Sequence, residues 1–417
     1  MLLDTASGTM WTNAPSRARH FDPLAAFQRL LKSPRTDITE EHARPSAEEA
    51  VARSGVAYVT YALLAILVAA FAAECVFALG PLKGSPQPSI TTLDALGGSY
   101  WIRVVESGEW YRLLSATFLH GDLTHLLLNG FVLFWAGRRL EWVIGHAWFA
   151  AIYLISGVCG SLASLALNPH NLIGVGASGA IMGILAASVI SSLHFAAGKT
   201  RTRLQVTAAQ VLIPSLLPIW TTTRSGMLID FGAHLGGAIG GALVAALMLL
   251  LWPRSSQSPR FTSAAIALAI IGALACVGTL IPITRSYARF ARDFQLAGML
   301  IPANEYPSTT QAAQAQAESL VARDPNDPRS YLVRGSSRLN ARNYEGATAD
   351  FQTGLEKREV LDRALQPIAR TLLQANLAVA QNAQGKFAMA KVTARPVCDA
   401  NPSGDIRQGL DRLHLCD

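Results

Sequence analysis

The sequence predicts an all-α protein, a polytopic membrane helical bundle followed by a region of helical repeats. Three observations support this prediction. Charged residues make up only 15% of the 417 residues, against about 25% in soluble globular chains. Several apolar runs are long enough to cross a hydrocarbon core of about 30 Å. From about residue 304 onward the chain is rich in Ala, Gln and Arg and contains no such run.

These changes in composition divide the chain into four parts. They are a polar arm (1–55), a six-helix core (56–252), a seventh transmembrane helix (253–285) and a soluble helical domain (286–417). The arm lacks the basic start and the apolar centre of a signal peptide. We therefore expect a cytoplasmic arm with little secondary structure.

Seven apolar runs are candidates for membrane spans. They lie at residues 56–79, 123–142, 147–167, 177–195, 205–220, 229–252 and 262–283. The first, third, sixth and seventh are clear from length and hydrophobicity, whereas the other three carry polar residues. The fifth is the weakest because Pro214 and Pro218 interrupt it. Such interruptions are tolerated only where neighbouring helices cover the freed carbonyl groups.

Basic residues in alternate loops predict the orientation of the bundle. They are Arg138 and Arg139, then Lys199, Arg201 and Arg203, then Arg254 and Arg260. Loops rich in Lys and Arg face the cytoplasm, so we expect the N-terminus inside and the C-terminus outside after seven spans. Arg285, Arg289 and Arg292 argue against the seventh crossing. Because many of the basic residues of the middle lie in these loops, the net charge of +7 indicates a lipid bilayer as partner and no nucleic acid.

Four polar side chains in the apolar runs indicate a site. Under the predicted topology Ser178, His234, His125 and Asn129 all lie near the outer ends of their spans. Polar residues at membrane depth are costly, and they suggest function. Ser178 could act as a nucleophile and His234 as its base, while His125 and Asn129, one turn apart, could donate to an oxyanion. Structural hydrogen bonds between helices are the alternative for the last two.

Small residues give the fourth and sixth spans a way to touch. Residues spaced four apart form a stripe on each span: Gly179 and Gly183 on one, Ala233, Gly237 and Gly241 on the other. Such stripes let helix backbones approach closely in lipid; generic helix packing is the alternative. The only acid near His234 is Asp230, one turn earlier. The pattern therefore favours a Ser–His dyad over a triad.

Several motifs, in order along the chain, resemble those of rhomboid intramembrane serine proteases. They are Glu109-Trp110-Tyr111-Arg112, His120, His125-x-x-x-Asn129, Glu141-x-x-x-Gly145, Gly176-Ala177-Ser178-Gly179 and Ala233-His234-x-Gly236-Gly237. The resemblance covers about residues 56–252, and Tyr111 replaces the Trp of the family's Trp-Arg motif. It implies a Ser178/His234 dyad and an oxyanion hole of His125, Asn129 and the Ser178 backbone N–H. Structural roles are implied for Arg112, Glu141, Gly176, Gly179, Gly237 and Gly241. The seventh span and the tail resemble the "six plus one" members.

The expected function is therefore that of a serine endopeptidase acting in or next to transmembrane segments of other proteins. A pseudoprotease that binds transmembrane helices without cleaving them is the main alternative. A transporter or channel would carry more charge inside the membrane, where Glu74 is the main exception. We expect an integral protein of a bacterial inner (plasma) membrane. The five cysteines form no C-x-x-C pair, and we expect no metal and no cofactor.

The tail resembles a tetratricopeptide array. In a 34-residue frame Tyr331, Gly335, Ala347 and Phe351 occupy the expected positions, and Pro325 ends a preceding unit with Ala313 and Ala317 in place. A further unit with Phe387, Ala390 and Pro402 fits only after an insertion of about nine residues. An ordinary array of helical hairpins is the alternative. We expect the tail to bind a protein partner.

Two expectations concern the remaining cysteines and histidines. Cys398 and Cys416 could form a disulfide if the tail faces an oxidising space, or remain free. The other histidines lie in loops or at helix ends, and we expect them to be solvated: His20, His42, His146, His170, His194 and His414.

Overall fold

The computed structural model describes residues 55–80, 87–217, 229–400 and 404–416. Nearly all of the predicted N-terminal arm, together with Pro218, Pro402 and the connection between the fifth and sixth predicted spans, lies outside these residues.

The membrane part is built from helices of very different lengths. In chain order they are α1 (Tyr58–Val76), α2 (Ile90–Ala95), α3 (Arg112–Ser115), α4 (Leu123–Val132), α5 (Arg138–Ile144), α6 (His146–Leu167), α7 (Ser178–Ser192), α8 (Lys199–Ser215), α9 (Phe231–Leu251) and α10 (Thr262–Ala297). A π-helical turn, Leu133–Gly137, joins α4 to α5. Within the described residues α1, α6, α9 and α10 are each long and apolar enough to cross a membrane. These are the four spans that the sequence made clear, and the prediction of an all-α membrane bundle is confirmed.

Helix α7 lies at the centre of the bundle. Every residue from 179 to 188 is buried. With 15 residues, the helix is about 22 Å long, which is shorter than the hydrocarbon core of about 30 Å. An end of α7 must therefore lie below a membrane surface.

The loop between α1 and α4 is ordered by short elements. Strand β1 (Ser99–Tyr100) pairs antiparallel with β2 (Ile173–Gly174), so that Ser99 lies opposite Gly174. This pairing joins the loop to the segment that leads into α7.

Both ends of the seventh span are held by hydrogen bonds. At its start, Trp148 Nε1 of α6 donates to the carbonyl of Arg260 at 3.1 Å. Towards its other end, the hydroxyl of Tyr287 donates to the carbonyl of Phe77, which follows α1, at 2.9 Å. The helix therefore runs alongside α6 from one side of the bundle to the other, as a seventh crossing requires.

Helix α10 continues as one helix to Ala297, through the boundary that the sequence placed at residue 285. Past the bundle, Phe290 packs against Leu79 and Ala95 of the loop between α1 and α4. The arginines that argued against the crossing lie on or beside this extension, where Arg289 stacks over the ring of Phe290. They stand beyond the span rather than inside it.

The tail is a series of antiparallel helices. They are α11 (Thr310–Arg323), α12 (Pro328–Asn340), α13 (Tyr344–Glu356), α14 (Arg358–Arg363), α15 (Pro367–Ala383), α16 (Phe387–Asp399) and α17 (Asp405–Arg412). Gly335 of α12 lies against Phe351 of α13, whose Cε1 would be 2.5 Å from a methyl group added at Gly335. Ala347 and Phe351 are fully buried. The hairpins stand in the predicted frame, and their assignment as tetratricopeptide units stays a prediction.

Two contacts fix the tail. Helix α14 lies where the 34-residue frame required an insertion. It forms two ion pairs with α10: Arg292 with Glu359 at 2.5 Å and Arg363 with Asp293 at 2.7 Å. At the far end Cys398 and Cys416 form a disulfide with their Cα atoms 5.5 Å apart.

Candidate active site

Ser178 begins α7 directly after a turn that only glycine accommodates easily. The φ angle of Gly176 is +128°, a region that favours glycine. A methyl group there would also lie 2.7 Å from Cε1 of His125. The Gly176 N–H donates to the carbonyl of Ala116 at 2.9 Å, which holds the turn against the preceding loop. Ser178 is half-buried.

The backbone N–H of Ser178 forms no hydrogen bond within its own helix. The hydrogen bond that starts α7 runs from the N–H of Ile181 to the carbonyl of Ala177. The N–H groups before Ile181 therefore have no intrahelical acceptor, and they stand at the positive end of the helix dipole. Such a terminus is suited to an anion next to the Ser178 side chain.

Helices α7 and α9 touch through their backbones. A methyl group added at Gly237 would overlap the carbonyl of Gly179, and one at Gly241 would overlap the carbonyl of Gly183. At the upper end of the contact, Gly179 approaches the carbonyl of Ala233. The predicted stripes of small residues therefore face each other. Ser178 and His234 are the chain neighbours of Gly179 and Ala233, which make this contact. No hydrogen bond joins these two described side chains.

Helix α6 completes a three-helix contact that the sequence did not indicate. A methyl group at Gly160 would lie 2.9 Å from the carbonyl of Ala233, and one at Gly236 would lie 2.5 Å from the carbonyl of Cys159. The close packing of α9 thus has two sides, one against α7 and one against α6.

Asp230 has a structural role in this geometry. One carboxylate oxygen accepts the N–H of Ala233 at 2.7 Å and the side-chain amide of Asn168 at 2.7 Å. The other accepts the hydroxyl of Ser164 at 2.5 Å. The carboxylate caps α9 and joins it to the end of α6. The ring of His234 instead places Nδ1 3.0 Å from the carbonyl oxygen of Ser215, the last residue of α8.

His125 and Asn129 lie beside the turn that carries Ser178. Asp122 caps α4 by accepting the N–H of His125 at 2.7 Å. The side chain of Asn129 is 3.7 Å from the methyl position of Gly176. Three separate stretches of sequence therefore converge at one end of α7.

A fifth side chain, His120, supports Asn129. The amide Nδ2 of Asn129 lies 3.1 Å from Nε2 of His120. Since the amide nitrogen can only donate, this ring nitrogen accepts. His120 is fully buried, and its backbone N–H donates to the carboxylate of Glu74 at 3.0 Å. The sequence showed His120 within a motif but gave no sign of its partner, nine residues along the chain.

Arg112 is fully buried in the loop between α1 and α4. Its Nη1 donates to the carbonyls of Asp94 at 2.7 Å and Gly98 at 2.9 Å, and its Nε donates to Glu109 at 2.6 Å. Burial acts to raise the pKa of Glu109, but the hydrogen bond and charge of Arg112 outweigh it and hold the pKa below its usual range. Tyr111, in place of the family's Trp, donates to the same carboxylate at 3.1 Å.

Glu141 is a structural residue at the other end of the bundle. Its carboxylate accepts the N–H groups of Val59 and Thr60 and the Thr60 hydroxyl, at 2.6–2.9 Å. It thus ties α5 to the first turn of α1.

The expectation that His194 is solvated was wrong. His194 is buried, because its ring stacks on Trp252 at 3.8 Å. Among the residues that the structure describes, no three His, Cys, Asp or Glu side chains are grouped to hold a metal ion.

Comparison with known proteins supports the resemblance noted in the sequence. The Rhomboid domain family matches residues 107–251. The rhomboid protease AarA of Providencia stuartii is 32% identical over 215 residues, which cover 47% of this chain and 74% of the relative. The chain belongs to the rhomboid family. Its rhomboid domain contains Ser178, His234, His125 and Asn129, and the tail lies outside that match.

Other rhomboid relatives come from plants and bacteria. RHOMBOID-like protein 6, mitochondrial, of Arabidopsis thaliana is 36% identical over 183 residues, which cover 43% of this chain and 57% of the relative. Rhomboid protease GluP of Bacillus subtilis (strain 168) is 30% identical over 211 residues, 51% of this chain and 39% of the relative. This rhomboid thus spans 57% of the length of the first plant relatives. The similarities support an integral membrane protein, but they do not single out the bacterial inner membrane that we expected.

Proposed function

We propose that this rhomboid is an intramembrane serine endopeptidase that hydrolyses peptide bonds in or next to transmembrane segments. Ser178 is the nucleophile and His234 is the general base. The observation that carries the proposal is the backbone contact between α7 and α9, with Gly179 against the carbonyl of Ala233. It places the serine and the histidine at adjoining helix positions, beside His125 and Asn129.

The proposed reaction has two halves. Ser178 Oγ attacks the substrate carbonyl carbon as its proton passes to Nε2 of His234. The tetrahedral intermediate collapses when His234 returns that proton to the departing amine, which leaves an acyl-enzyme. A water molecule, deprotonated by the same nitrogen, then attacks the ester and frees Ser178.

The oxyanion of each intermediate needs donors that are in place beforehand. The Ser178 N–H at the start of α7, the ring of His125 and the amide of Asn129 supply them. His120 accepts one hydrogen of the Asn129 amide, which leaves the second hydrogen for the oxyanion. The hydrogen bond to His120 fixes the rotamer of the Asn129 side chain. Little conformational entropy of this side chain is then lost when the oxyanion forms.

The short central helix accounts for access of water. Because α7 is about 22 Å long, its N-terminal end cannot reach the outer membrane surface if its other end is at the inner one. A cavity open to the outer side would then bring water to Ser178. The substrate helix must unwind at the cut to expose its carbonyl, and small or helix-weakening residues there would favour cleavage.

Replacing the nucleophile or the base tests the proposal directly. In Ser178→Ala and His234→Ala we expect loss of cleavage of a transmembrane substrate and loss of labelling by a fluorophosphonate probe, in full-length protein that still inserts. Ser188→Ala is the matched control, since the Ser188 hydroxyl lies on the same helix and donates only to the carbonyl of Ile184. Undiminished cleavage by either variant would exclude the mechanism. Substrate binding by the unaltered protein without cleavage or labelling would favour the pseudoprotease.

We also propose that the tail lies on the outer side, opposite a cytoplasmic N-terminus. The extension of α10 packs against the loop between α1 and α4 through Phe290, Leu79 and Ala95, and this loop is outside if the N-terminus is inside. The disulfide between Cys398 and Cys416 agrees, because disulfides persist in oxidising compartments. The helical hairpins then stand where they can bind the extramembrane part of a substrate or another protein partner.

A further inference from the structure

A histidine base needs a partner that fixes which ring nitrogen carries the hydrogen. In a Ser–His–Asp triad a carboxylate does this, but the acid nearest to His234 in the sequence is engaged elsewhere: Asp230 accepts from Ala233, Asn168 and Ser164. We propose that the backbone carbonyl of Ser215, at the end of α8, is the positioning group for His234 in place of a carboxylate. This inference rests on the proposed catalytic role of His234.

The hydrogen bond defines the tautomer. Nδ1 of His234 lies 3.0 Å from the oxygen of Ser215. A carbonyl oxygen only accepts, so Nδ1 must carry the hydrogen. In the neutral ring Nε2 is then unprotonated. It is the nitrogen that can take a proton from Ser178.

The carbonyl of Ser215 is available because of its place in α8. Within the last turn, the N–H of Leu216 bonds to the carbonyls of Leu212 and Ile213, and the N–H of Leu217 bonds to the carbonyl of Pro214. Residue 218, which would be the 3₁₀ donor to Ser215, is a proline and has no N–H. A carbonyl in the last turn of a helix lacks an intrahelical donor and must find another partner.

The end of a helix also suits the charge that develops during the reaction. When His234 accepts a proton from Ser178, its ring becomes a cation. The C-terminal end of a helix carries a partial negative charge of about half an electron and stabilises a cation there. The Ser215 carbonyl therefore orients the neutral ring and stabilises the charged one, without the cost of burying a carboxylate.

A consequence is that α8 and the base are coupled. Since α8 supplies the acceptor and α9 carries the ring, moving the end of α8 away from α9 would leave His234 without its orienting bond. Weakening the Ser215 carbonyl should therefore lower activity.

The first test measures the tautomer in the full-length protein. With ¹⁵N-labelled histidine in lipid bicelles, the His234 signals, assigned by comparison with His234→Gln, should show hydrogen on Nδ1 at a pH where the ring is neutral. Hydrogen on Nε2 instead would overturn the inference. This outcome is independent of activity, so a wild-type protein that fails to label with a fluorophosphonate would refute the proposed function by a separate measurement.

The second test weakens the carbonyl itself. Replacing the backbone amide of Leu216 by an ester makes the Ser215 carbonyl a poorer acceptor and removes the N–H of Leu216. The same exchange at Leu217 is the matched control, because it removes a neighbouring helical N–H but leaves Ser215 intact. We expect the Leu216 ester to lower kcat and the fluorophosphonate labelling rate about three- to tenfold relative to the Leu217 ester, with KM unchanged. Equal rates for the two esters would overturn the proposal.

Discussion

The closest helix contacts in the membrane bundle and in the tail are made by different groups. In the bundle, α7 and α9 meet backbone to backbone at Gly179 and Gly237, while large apolar side chains such as Leu243 point outward. In the tail, the ring of Phe351 is fully buried beside Gly335. The tail also carries ion pairs and a disulfide.

The difference follows from the solvent around each region. Lipid tails are as apolar as a leucine side chain, so burying leucine drives no association of helices in the bundle, and close contact of small residues has to do so. In the tail, which we propose to lie in water, burial of apolar surface is the main stabilising force. The same residue type, glycine, thus serves a backbone contact in one region and makes room for an aromatic ring in the other.

The largest effect should come from one methyl group in the bundle. In Gly237→Ala the added carbon would overlap the carbonyl of Gly179, which is backbone and cannot turn aside. We expect a loss of stability above about 3 kcal/mol and no detectable cleavage. Gly278→Ala is the control. Gly278 lies in α10, and nothing is within 4 Å of the position that its added methyl group would take. Thermal unfolding in detergent and substrate cleavage would measure both variants, and a fully active Gly237→Ala would contradict the backbone contact.

Removing the disulfide should have a smaller effect, confined to the tail. Its cysteines are 18 residues apart, and chain entropy assigns about 3 kcal/mol to a loop of this length. In Cys398→Ser/Cys416→Ser we expect the tail to unfold at lower denaturant concentration while cleavage by the core is unchanged. Cys159→Ser, at a free cysteine of the bundle, is the control. In the unaltered protein, an impermeant thiol reagent should label both tail cysteines in intact cells only after reduction. Labelling without reduction would contradict an outer, oxidised tail.

The smallest effect should come from the junction of the two regions. The pairs of Arg292 with Glu359 and of Arg363 with Asp293 are exposed to solvent, where ion pairs contribute little to stability and are screened by salt. A double-mutant cycle with Arg292→Ala and Glu359→Ala should give a small coupling energy that falls as salt is added. A large coupling energy that is insensitive to salt would mean that the junction is packed like a protein interior.

Much of the bundle could be predicted because lipid imposes simple rules. Length and hydrophobicity identified α1, α6, α9 and α10, and the four-residue spacing of glycines identified the faces of α7 and α9 that meet. The continuation of α10 to Ala297 was missed because its polar last turns end the hydropathy signal but do not end the helix. The polar partners were also missed, since Asn129 with His120 and Glu141 with α1 depend on how distant segments pack.

The sequence by itself determined the fold class, the family and the candidate residues Ser178, His234, His125 and Asn129, because residue type and spacing carry that information. Only the tertiary structure decided what surrounds them. In the folded chain Asp230 caps α9, and His120 accepts a hydrogen bond from Asn129. The carbonyl of Ser215 accepts a hydrogen bond from His234. The physical reason is that every residue has a backbone carbonyl. No pattern in the side chains can show which one will accept a hydrogen bond from the ring of His234.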